Sequence, residues 1–179
     1  MYAEQSAFDW HRYGHWDTRA ERVRLSAFLL WQAARDPDRL ATLRNEAHYS
    51  SGDAGIAMLD GFRRESAVAL ELIIKAVIAK QFRLRHASES ERVPATHDIP
   101  KLWLEAGLPE LESEDKNRLL SFQSVLNWSG RYATPRSAKA WAEENRTFAE
   151  RGCLRISIWC GWEEFDRLFQ TARARLLSP

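Results

Sequence analysis

Cysteine is nearly absent from this 179-residue chain, and so are an excess of either charge, a tract of low complexity and a long apolar run. Each shortage removes a class of protein. The two cysteines, Cys153 and Cys160, stand seven apart, which on a helix is two turns along one face and too far for a bridge within that helix. No CxxC pair exists, so a structural zinc site is not expected, and both thiols read as small buried apolar groups. With 26 Lys and Arg against 25 Asp and Glu, the net charge of +1 gives no overall pull toward nucleic acid; any such contact has to come from a local patch. The absence of biased segments argues against disorder. The opening MYAEQSAFDW has neither a cationic start nor an apolar core, so no signal peptide is expected and a cytoplasmic location follows as the expectation.

What is present is hydrophobic content of 45% beside 28% charge, an ordinary globular balance in a chain long enough for a substantial core. The organising stretch is Ser66 to Phe82, SAVALELIIKAVIAKQF. From Ala67 to Ala79 only Glu71 and Lys75 are polar, four apart and therefore one turn above each other on a helix. Apolar residues flank that stripe on all sides, the pattern of a helix covered by neighbours. The apolar runs are too short, and too interrupted by charge, for a membrane span of roughly 18 residues. The expectation is an all-α bundle of about five to seven helices around this long central helix.

Read in order, residues 1–16 form an aromatic and basic arm with Phe8, Trp10, Tyr13 and Trp16, able to stack on bases or to pack back on a domain spanning 17–179. Thr18 and Glu21 match a capping box for a first helix over about 18–35, which Asp36-Pro37 ends while opening a short helix to about 46. After YSSGDAG the central helix runs from about 54 to 85, weakened at Gly61. A mobile polar loop follows to Ala95. Thr96-His97-Asp98 with Pro100 then reads as a helix start that Gly107 stops. Ser113 caps a helix to about Ser129, Thr134-Pro135 starts another that Gly152 closes, and Ile158 begins a long amphipathic last helix. Leu154, Ile156 and Ile158 alternate with polar residues, so a strand is the lesser reading there.

AVALELIIKAVIA, then a variable loop, then THDIPKLWLEAGLP, then a helix ending in NWSGRYATP, together resemble the HEPN family (higher eukaryotes and prokaryotes nucleotide-binding). The pieces are Glu71 and Lys75 in an E-x-x-x-K helix; Thr96, His97, Asp98, Ile99 and Leu102 in a T-H-D-[LI]-x-x-L start; and Arg131 with Tyr132 in an R-Y-P-like turn. The match covers about Ser66 to Trp141. The resemblance implies an up-and-down bundle, a homodimer, binding of a nucleotide or RNA, a small nucleotidyltransferase partner as in toxin-antitoxin systems, no cofactor and, in many branches, RNA cleavage. The cleaving branch carries R-x(4-6)-H at a late helix, arginine holding the phosphate and histidine moving protons. Here no histidine follows His97, so Arg131 and Arg136 lack that partner, and the residues align with the R-Y-P-like branch.

Each candidate has a functional and a structural reading. Arg131, Tyr132 and Arg136 either converge on a phosphate beside the free amides of a helix start, or cap and pack. His97 and Asp98 either contact a ligand or serve the start of their own helix. Glu71 and Lys75 either pair structurally, or Lys75 reaches a phosphate. His97 and His48 are the candidates for catalysis in a divergent endoribonuclease, and a protein-interaction module docking through its aromatic-rich ends is the third class of function.

Overall fold

The computed structural model describes residues 12–50, 52–86, 91–129, 137–150 and 160–178. Among them there is no strand. Seven α-helices occur in order: α1 Tyr13–Ala34, α2 Pro37–Glu46, α3 Ala54–Leu84, α4 Ile99–Glu105, α5 Ser113–Ser124, α6 Ala138–Glu150 and α7 Trp162–Leu177, with a π-helical turn Val125–Ser129 extending α5. No described helix is long and apolar enough to cross a membrane.

The central helix is where the sequence puts it. α3 has 31 residues, about 46 Å at 1.5 Å per residue, and every position from Ala69 to Ala79 is buried, which requires cover on all sides. α1 runs antiparallel to it: Trp31 lies 5.0 Å from Phe62 between ring centroids, and the absent Cβ of Gly61 is replaced by Leu30, whose Cδ1 would stand 3.2 Å from it. Gly61 therefore lets α1 approach closely, in return for about 1 kcal/mol of helix propensity. α7 runs parallel to α3, with Phe165 edge-on to Phe62 at one end and Lys80 donating to the carbonyls of Leu176 and Ser178 at the other. Those carbonyls belong to the last turn of α7, where a cation is favoured. α1 and α7 are joined by Arg24 to Asp166 at 2.6 Å and Arg173 to Glu21 at 2.7 Å. α5 closes the core through Phe122, 6.1 Å from Phe165.

The local signals held where a side chain supplies the cap. Asp36 accepts from the Arg39 amide and opens α2, and Gly107, at φ +60°, closes the turn after α4 in the left-handed region glycine tolerates. They failed where packing decides. α1 starts at Tyr13 with no side-chain cap, so Thr18 and Glu21 are interior residues and not a capping box. Tyr13 and Trp16 pack on the core, and that burial extends the helix past the expected start. Likewise Glu112, not Ser113, precedes the first turn of α5. α7 begins at Trp162, where the Glu164 carboxylate accepts from the Gly161 amide at 2.9 Å; the Ile158 start and the alternating Leu154 to Ile158 segment lie outside the described residues, as does Thr134-Pro135. In the loop before α4, Val93 is buried and Arg85 pairs with Glu91, so its second half is anchored.

Candidate functional site

Three of the residues singled out by sequence meet at the middle of α3. Glu71 and Lys75 face the same way one turn apart and are almost fully buried, at 8% and 6% exposure. The Lys75 ammonium donates to Glu71 Oε1 at 2.6 Å. The other carboxylate oxygen, Oε2, lies 2.8 Å from His97 Nδ1. A carboxylate oxygen accepts, so His97 Nδ1 carries the hydrogen of this bond, and whenever the ring is neutral its lone pair is on Nε2. The His97 side chain is 45% exposed, and Nε2 has no partner among the described residues.

The segment that carries His97 is fixed on both sides. Upstream, Val93 is buried; downstream, Ile99 is fully buried and begins α4. Asp98 accepts from the Lys101 amide at 3.1 Å as the cap of α4, and its own amide donates to Thr96 Oγ1 at 3.1 Å. Pro100 sits in the first turn, where its missing donor leaves no bond unmade. Asp98 thus has the structural role, and by fixing the turn it fixes the neighbouring imidazole. The result is a carboxylate-oriented histidine presenting a base to solvent, the geometry that general acid–base catalysis and recognition of hydroxyl or phosphate oxygens both use. Lys75 is not available for a ligand: its charge is held by Glu71 and shielded by the core.

His48, the other histidine singled out by sequence, does not join this cluster. His48 is exposed at φ 50°, just past α2; its amide donates to Asn45 O while Tyr49 N returns to Arg44 O, a helix-ending turn. The N-terminal end of α3, to which that turn leads, is about 25 Å along the axis from Glu71. Arg131, Tyr132 and Arg136 lie outside the described residues.

A second polar cluster was not read from the sequence. Asp115, buried at 7% exposure, accepts from Arg167 through both oxygens at 2.9 and 2.7 Å and from Arg118 at 2.7 Å. Hydrogen bonding to the Arg167 guanidinium holds the Asp115 carboxyl below its ordinary value, outweighing the opposing effect of burial. Cys160 beside this clasp is half-buried, and desolvation pushes its thiol up to about 12; Cys153 lies outside the described residues. The i,i+3 spacing of Asp115 and Arg118 was legible; the pairing with Arg167, 52 residues on, was not. Among the described residues no three His, Cys, Asp or Glu side chains group so as to hold a metal. No protein-family model, curated protein or solved structure matches this chain.

Proposed function

We propose that this chain binds RNA or a nucleotide at the α3–α4 surface, with His97 as the group that contacts it, in the manner the HEPN resemblance implies. The observation that carries the reading is the Glu71 carboxylate bridging buried Lys75 to half-exposed His97. A charged pair inside a core is seldom the most stable choice over apolar residues of the same volume, so its presence calls for a use. Here the use is to hold one imidazole in one tautomer at the surface. Fluorescence anisotropy with a labelled single-stranded RNA of about 12 nucleotides, at low salt, tests it directly. Saturable binding that His97→Ala weakens supports the proposal. No binding of RNA, ATP or GTP, or binding indifferent to His97→Ala, rejects it.

The tautomer favours a second reading, metal-independent RNA cleavage. His97 Nε2 would take the proton of a 2′-hydroxyl, the freed oxygen would attack the adjacent phosphorus, and the 5′-oxygen would leave with a proton returned by the imidazolium, giving a 2′,3′-cyclic end. Gel analysis of end-labelled RNA decides it. Cleavage abolished by His97→Ala and retained in His48→Ala supports the step; no cleavage, or cleavage that survives His97→Ala, excludes it.

A further inference from the structure

Outside the histidine site, the outer face of α1 carries a feature the core does not explain. Leu25 and Leu29 are 58% and 48% exposed and stand one turn apart, whereas the other exposed large apolar residues of the described chain, Ile56, Leu84, Leu104 and Leu177, are scattered singly over other helices. Leu25 and Phe28, with Trp162 of α7, line a groove of about 590 Å³. Three ionisable residues line it. Glu21 and Arg24 are paired with each other and with Arg173 and Asp166 respectively. Arg22, one turn before Leu25 and two before Leu29 on the same stripe, is exposed and has no partner among the described residues. The groove is thus apolar with one uncompensated positive charge at its rim.

We infer that this groove docks an amphipathic helix of a partner protein, one with apolar residues at i and i+3 or i+4 and a carboxylate a turn away to meet Arg22. Two occupants fit less well. A second copy would bring the same positive rim to this face, and its one groove carboxylate, Glu21, is already paired with Arg24 and Arg173. Single-stranded nucleic acid would need an open aromatic face, and the Trp162 ring is already engaged by the Arg24 guanidinium at 5.2 Å, Phe28 at 4.8 Å and Phe165 at 5.6 Å. A helix laid in a groove needs only a few anchors in register and a matching charge. The inference is independent of the His97 reading.

The test uses two labelled, capped synthetic helices of about 16 residues, each with Leu at i, i+4 and i+7, one bearing Glu at the flanking positions and its twin bearing Lys. Anisotropy is read with the full chain. The acidic helix should bind saturably, about tenfold more tightly than the basic twin, and Arg22→Glu should reverse that preference. Leu25→Ser with Leu29→Ser should abolish binding with an unchanged circular dichroism spectrum, while Leu104→Ser, more exposed still but elsewhere, should not alter it. Absence of saturable binding, equal affinity for the twins, or indifference to the leucine pair overturns the inference. So does a concentration-dependent dimer that Leu25→Ser/Leu29→Ser dissociates, which would make a second copy the occupant, or RNA binding that Arg22→Glu removes, which would make it nucleic acid.

Discussion

Removing Glu71 should be among the most damaging single changes in the chain, and the structure sets the size of the effect. Glu71→Ala strands the Lys75 ammonium in a site where the side chain keeps 8% of its exposure and has no other partner among the described residues. Breaking a buried pair from one side costs about 3–5 kcal/mol, because the remaining charge is left desolvated. Against a typical domain stability of about 5–15 kcal/mol, that is a large share. With an m-value of about 2 kcal/mol/M, the urea midpoint falls by about 2 M. Lys75→Met should cost less, since His97 still donates to Glu71 and reaches solvent. Glu71→Leu with Lys75→Met removes both charges and fills the space, and should return stability to within about 1 kcal/mol of wild type or above it. Equilibrium urea unfolding of the four proteins compares the broken pair with its apolar replacement. A Glu71→Ala loss under about 1 kcal/mol, the value of an exposed pair, would refute the reasoning, as would a double variant no better than the single. The double variant also separates structure from use: folded, but with His97 unheld, it should lose whatever the site does.

Four further outcomes follow. Asp115, whose carboxyl is held below the ordinary value of 3.8, stabilises the fold above about pH 4 and loses that contribution as pH falls through the lowered folded value; Asp115→Asn should flatten the acid limb of a stability-against-pH curve measured by urea unfolding. In a Cys153→Ser background, Cys160 should react with a thiol reagent at neutral pH far more slowly in the native protein than in urea, because its thiol is pushed up to about 12. Phe165→Ala removes the ring that Phe62, Phe122, Trp162 and Phe169 all touch, and should cost about 3–5 kcal/mol in the same unfolding assay. Asp98→Ala should cost about 1 kcal/mol by uncapping α4, and should weaken RNA binding by loosening the turn that carries His97.

The sequence disclosed α3 because its pattern is self-contained: apolar residues on every side between Ala67 and Ala79 can only mean burial, and burial is what α3 shows from Ala69 to Ala79. It disclosed the start of α2 and α4 for a similar reason, since Asp36 and Asp98 act within their own first turns. Glu71 and Lys75 were legible as a pair by the same local rule. That His97 completes the group was not, because 26 residues and a loop separate it from Glu71, and only the packing of α4 on α3 closes that distance. α1 starts earlier than its Thr18 spacing suggests because the burial of Tyr13 and Trp16 carries the helix back to Tyr13 and leaves Thr18 inside it. The Asp115–Arg167 clasp was invisible for the reason His97 was: a bond between α5 and α7 depends on how they cross, which periodicity within each does not encode.

The most direct check on the account is the protonation pattern of a single ring. Nitrogen-15 chemical shifts of His97, recorded at alkaline pH, should show Nδ1 bearing the hydrogen and Nε2 bare, with Glu71→Gln shifting the ring toward the tautomer common in free histidine. A wild-type ring protonated at Nε2, or a ring whose tautomer ignores the loss of the Glu71 charge, would mean that the carboxylate does not hold the histidine, and the proposed site would have no basis.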